Sequence, residues 1–156
     1  MGNIAFADIS TSTVEQGPFP LGAVYKNGEV EYQYFHANGS IAQYSLITAN
    51  KDFEAAEGTT TTSGSRPTRC GVAQIAVADN EYFWAPIGPF PESAGFKVKG
   101  AASCAANVKL YTTGTDGVVD DTATDLVEGL VLTETLTSAA AATCEAVKRL
   151  VTNCQD

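Results

Sequence analysis

The sequence predicts an all-β protein: a compact barrel or sandwich of short antiparallel strands behind an extended N-terminal arm. Three observations predict it. Apolar and polar residues alternate with a period of two over many short stretches, as strands with one buried face require. Strands recur roughly every eight to twelve residues, the spacing of a barrel or sandwich, separated by Gly, Asn and Asp turns such as Asn27-Gly28, Asn38-Gly39, Asp79-Asn80 and Asp116-Gly117. Charged residues make up only 17% of the chain, while Thr, Ala and Gly are plentiful, as packed strands and tight turns demand.

The 156 residues divide into an arm, 1–20, and a single domain, 21–156. A chain of this size buries roughly 70% of its extended surface without help from metals. The arm is irregular, and Pro18 and Pro20 push their neighbours into extended geometry. Ile4, Phe6 and Phe19 are its apolar tethers. A strand over 21–25 and a turn over 26–28 lead to a strand over 29–36. There Val30, Tyr32, Tyr34 and His36 share one face, and Glu31, Gln33 and Phe35 the other. After Asn38-Gly39 comes a strand over 41–49. Residues 50–69, with the threonine tract 59–62 and with Arg66 and Arg69, read as the longest loop, and loops of that length are usually functional or mobile.

Residues 71–90 read as the central hairpin, turning at Asp79-Asn80. Before the turn, Val72, Gln74 and Ala76 alternate with Ala73, Ile75 and Val77. After it, Tyr82 and Trp84 share one face while Phe83, Ala85 and Ile87 share the opposite one. Pro89 and Pro91 end the pattern, since proline cannot donate to a ladder. Further strands are expected over 95–100, 107–113 and 129–136. The segment 138–152 is ambiguous. Its alanines and the Glu145 to Arg149 spacing favour helix. Alternation of Ala146, Lys148 and Leu150 with Val147, Arg149 and Val151 favours strand, which is the expectation.

Nine Lys and Arg stand against eighteen Asp and Glu, a net charge of −9. Nucleic acids and anionic membranes repel such a chain, so neither is expected as a partner. The nearest approaches to a basic run are the pairs Lys97 and Lys99, Lys148 and Arg149, and Arg66 and Arg69. There is no charged leader before an apolar core, no apolar run long enough to span a bilayer, and Phe6 stands where a myristoylation motif has Ser or Thr. A soluble protein assembled in the cytoplasm is the expectation.

Chemistry has little to work with. His36 is the one histidine, and on its strand face it reads as packing or capping a sheet end rather than as a base. Cys70, Cys104, Cys144 and Cys154 lack metal-knuckle or redox spacing; free, buried thiols are favoured over two disulfides. Asp116, Asp120, Asp121 and Asp125 lack the register of a calcium loop and read as a solvated acidic segment. No phosphate-binding, dinucleotide or nucleophile-elbow motif occurs. No enzyme, cofactor or metal is expected. Tyr82 and Trp84 form either a sugar-stacking platform or, with Ile87, part of a barrel core or subunit seam.

Three stretches carry a resemblance: PLGAVYKNGEVEYQYFHANGSIAQYSLIT (20–48), GVAQIAVADNEYFWAPIGPF (71–90) and AASCAANVKLYTTGTDGVVDDTATDLVEGLVLT (101–133). Together they resemble the capsid decoration, or cement, proteins of tailed bacteriophages. Cys104, Cys144, Cys154 and the Lys148-Arg149 pair depart from the family's pattern. The resemblance implies a small β-barrel-like fold and a non-enzymatic structural role on the outer face of an icosahedral head. It implies a homotrimer bound to the major capsid protein. In that setting Ile4, Phe6, Phe19, Arg66 and Arg69 are the expected capsid or subunit contacts, and Tyr82, Trp84 and Ile87 the expected core or trimer seam. A carbohydrate- or receptor-binding β module, also carried on a virion, is the alternative.

Overall fold

The computed structural model describes residues 9–64, 67–122 and 124–153. Ile4, Phe6, Arg66 and Cys154 therefore lie outside the described residues. The strands are β1 (Val24–Asn27), β2 (Val30–Ala37), β3 (Leu46–Ala49), β4 (Glu54–Glu57), β5 (Thr68–Val72), β6 (Tyr82–Pro86), β7 (Lys97–Gly100), β8 (Leu110–Thr112), β9 (Val118–Asp120), β10 (Leu126–Leu132) and β11 (Ala140–Thr152). A single helical turn, α1 (Thr60–Ser63), precedes β5.

Among the described residues the strands run in the order β1-β2-β4-β3-β5-β11-β10-β8-β9-β7, with β6 added to β2. β7 also pairs with β11, so β7, β9, β8, β10 and β11 close into a five-stranded barrel, and the other strands pack outside it. Closure removes the unpaired edges that such short strands would otherwise expose. β11 makes it possible by its length. Thirteen residues reach roughly 43 Å, enough to pair Ala140–Thr143 with β7, Cys144–Ala146 with β10, and Val151–Thr152 with β5. The ambiguous C-terminal segment is thus a strand.

Aliphatic side chains fill the barrel: Val98, Leu110, Val119, Val127, Leu130 and Leu132 are all 0–1% exposed. Val127 and Leu130 both point inward although three positions apart, because the register shifts at Gly129. A second core lies under β2 and β6, where Phe35, Ile47, Ala55, Phe83, Ala85 and Ile87 meet. β2 is therefore covered on both faces, with Tyr32 and Tyr34 on the side away from this core. Two glycines let the layers touch. A Cβ on Gly117 would stand 2.4 Å from that of Ser45, where the β8–β9 hairpin meets β3, and its φ is +69°. A Cβ on Gly88 would stand 2.2 Å from the Lys148 carbonyl, where the chain leaving β6 crosses β11.

The structure corrects the sequence reading in three places. Residues 71–90 are not a hairpin: β5 pairs with β3 and β11, while β6 pairs antiparallel with β2, Tyr34 opposite Trp84 and Phe35 opposite Phe83. The Asp79-Asn80 turn is present, but it closes on the end of β2, Asn80 donating to the Ala37 carbonyl (3.1 Å) and Gly39 donating to Asp79 (2.7 Å). Matched aromatic and aliphatic faces on β2 outweigh the nearer partner, since cross-strand pairs are the unit of sheet stability. Residues 50–69 are not one loop. They contain β4, paired with β2 and β3, and the threonine tract is a helical turn whose Thr59 and Thr62 cap each other reciprocally. Third, not every pairing is antiparallel: β2–β4 and β7–β9 run parallel.

Candidate interaction surface

The most distinctive surface begins with the alternation of β2 and β6. Because side chains alternate across a strand, Tyr32, Tyr34, Tyr82 and Trp84 come to one side of the paired strands. Tyr34 and Trp84 are 4.9 Å apart between ring centres, Tyr34 stacks on Tyr82, and Tyr25 from β1 stacks on Tyr32. Phe96 meets Tyr32 edge-on at 6.0 Å. Edge-on and offset geometries of this kind each stabilise by roughly 0.5–1.5 kcal/mol beyond burial. The rings form a continuous aromatic ledge.

The described part of the arm, 9–20, lies across this ledge as a strap. Thr13 and Tyr82 exchange both main-chain hydrogen bonds, at 3.0 and 2.8 Å, so the strap adds one bridge to the outer edge of β6. Ser12 Oγ donates to Glu81, which also accepts from the Ala78 amide. Gly17 N–H donates to the Tyr34 hydroxyl (3.0 Å). Phe19 then closes the ledge, edge-on to Trp84 at 5.2 Å and to Tyr34 at 5.9 Å. Pro18 and Pro20 hold the chain extended on either side of that ring.

A second concave surface, about 710 Å³, lies between the β3–β4 turn and the α1–β5 connection. Asn38, Asn50, Lys51, Glu54, Thr62 and Arg69 line it. The Arg69 guanidinium sits over the Phe53 ring at 4.8 Å, and Phe53 has a left-handed φ of +61°.

Each expected site residue can now be placed. Phe19 is half-buried on its own domain's ledge, and Arg69 is exposed on the polar groove. Tyr82 and Trp84 share the ledge. Ile87 does not join them: it is 4% exposed in the second core, on the other side of the sheet. Trp84 is likewise only 4% exposed. His36 lies beside Tyr82, ring centres 4.6 Å apart. Sequence reasoning missed Ser12, Thr13 and Glu81, which hold the strap. A lone bridge between residues far apart in the chain leaves no periodic signal.

The carboxylates act as fasteners for loops. Glu57 accepts from the Ala42 amide and the buried Ser45 hydroxyl, and Lys99 lies 3.9 Å away. Asp121 accepts from the Ala105 amide, and Asp125 from Ser63 Oγ. Glu31 accepts from Arg149 Nε at 2.9 Å, and this hydrogen bond holds its carboxyl below the ordinary range. Among the described residues no three His, Cys, Asp or Glu side chains gather as metal ligands. Cys70, Cys104 and Cys144 are free and buried. Burial pushes Cys70 and Cys144 up to about 12 and Cys104 up to about 11, the last helped by Asp121 and Asp120. These are protonated packing groups, not nucleophiles. No helix among the described residues is long and apolar enough to cross a membrane.

No protein-family model matches the chain, and no curated protein matches it.

Proposed function

We propose that this chain is a structural virion protein that decorates and stabilises the outer face of an icosahedral phage head, after assembly in the host cytoplasm. Its partners are the major capsid protein lattice and further copies of itself, as a homotrimer. The sequence resemblance motivates the reading, and one structural observation weighs most in its favour over the alternative. Trp84 is closed over by Phe19 and Tyr34 within a single chain, so the indole offers no open face to a sugar. A stacking platform for carbohydrate needs that face wet. The closed barrel and the carboxylate-fastened loops suit a rigid clip, which binds a lattice through many modest contacts and gains avidity from repetition. A net charge of −9 suits an outer surface, away from packaged DNA.

The test is sedimentation of the purified chain with undecorated, expanded heads of the virus that encodes it. The expected result is saturable binding in a fixed ratio to major capsid protein, with heads that withstand higher temperature before releasing DNA. Absence of co-sedimentation at saturating protein would overturn the proposal. Deleting residues 1–18 asks separately whether the arm grips the lattice; unchanged affinity would remove that role from it.

A further inference from the structure

The geometry points to residues 9–20 as an exchangeable strap: the outer edge of β6, with its aromatic slot, receives this segment either from its own chain or from a second copy. This stands on the ledge alone and does not depend on the capsid reading.

The strap is fastened to one small area. Hydrogen bonds to Glu81, Tyr82 and Tyr34 help to hold it, with Ile9 and Phe19 against the ring cluster. Glu81, Tyr82 and Tyr34 belong to β2, β6 or the turn before β6. The barrel and the second core keep every strand pairing when the strap leaves. Residues 13–18 are exposed and attach through one bridge at Thr13 and one amide hydrogen bond from Gly17, the kind of segment that opens locally at low free energy.

The occupant is set by what already fits. The slot accepts an extended peptide with a Ser-Thr pair at the β6 edge and an aromatic ring six positions later, and this chain supplies that pattern at Ser12, Thr13 and Phe19. A second copy presents it identically. The connection from the docked ring back into the domain is short, Pro20 and Leu21, with Pro18 just before the ring. Prolines there favour an extended path over a fold-back, and constrained connections of that kind invite exchange of identical elements between copies. Charge does not oppose the exchange locally, because Glu15 is the one ionised side chain in 9–20.

Contacts in trans equal contacts in cis, so concentration decides between them. A short tether gives its own strap an effective concentration on the order of millimolar. At micromolar concentration each chain closes on itself. Where copies stand at millimolar local concentration, straps cross to neighbours and link them.

The experiment uses the full chain with Cys154→Ser, leaving three buried cysteines. One tagged protein carries Ser12→Cys and a differently tagged one carries Glu81→Cys; they are mixed under mild oxidation at micromolar and at millimolar concentration. A disulfide-linked heterodimer is expected at millimolar concentration, about tenfold above a control in which exposed Val147→Cys replaces Glu81→Cys. At micromolar concentration its yield should fall to the control's, and adding Phe19→Ala to the Ser12→Cys partner should lower the millimolar yield. The double variant Ser12→Cys/Glu81→Cys, kept dilute, should close within one chain. Heterodimer no more abundant than the control at millimolar concentration, with the double variant closing normally, overturns exchange. A double variant that never closes overturns the docked strap itself, and the proposal with it.

Discussion

The barrel and the aromatic ledge are held together by opposite means. In the barrel, β7 to β11 close on themselves, and the interior is aliphatic and sealed, with Leu110, Val119 and Leu132 fully buried. On the ledge, rings stack along an open edge, and the cover is a strap fastened by one bridge and a few side-chain bonds. The first arrangement gives rigidity, since each strand is secured on both sides. The second gives a surface whose cover can come off without disturbing what lies beneath. Stability and adaptability are thus assigned to different parts of one small chain.

That contrast can be broken most forcefully from the barrel side. Leu132→Ala leaves a cavity in a closed interior and should cost about 2–5 kcal/mol, read as a lower urea midpoint with an unchanged slope. Phe19→Ala should cost less, about 1–2 kcal/mol, because the ring is half-buried. Its signature is local: acrylamide should quench Trp84 fluorescence much more efficiently in native buffer, while Leu132→Ala should leave native quenching unchanged. If the two variants quench alike, the ledge and the barrel are not separable.

A third, smaller effect concerns the thiols. Cys70 and Cys144 keep their protons up to about pH 12 when folded, whereas exposed thiols lose them near 9. The unfolded state therefore releases protons first. Stability is full below pH 9 and falls as pH rises from there toward 12. Cys144→Ala should flatten that decline, measured as unfolding free energy against pH. The smallest effect lies at acid pH. Glu31 is held below its ordinary 4.5 by Arg149, so its contribution is present above that value and is lost as pH falls through its lowered one. The pair is near the surface, so Glu31→Gln should shift the acid transition only slightly, and less in high salt.

Local pattern made much of this readable in advance. The faces of β2 and β6 follow directly from alternation in 30–37 and 82–87, and the strand character of β11 from the alternation around Arg149. Partnership did not follow, because it is decided at a distance. Tyr34 and Trp84 are fifty positions apart, and nothing near Val72 says that β6 will pass over it to reach β2. β4, with the sequence EAAE, is too short and too polar to show as a strand; pairing with β2 and β3 makes it one. The buried cysteines were readable as small hydrophobes. The strap was not, because Thr13 is exposed and its partner, Tyr82, is 69 positions away.

The reach of β11 has a consequence in time. It follows in the chain every strand that it secures, including β5, β7 and β10. A ribosome adding roughly 5–20 residues per second emits β5 several seconds before β11 appears. Through that interval the nascent chain carries strands whose partner edge does not yet exist, so neither the barrel nor its junction with the second core can form. Folding of this body therefore waits for β11, with the slow kinetics of a topology dominated by distant pairings. A stop before residue 140 would yield an open-edged sheet prone to self-association, not a smaller version of the protein.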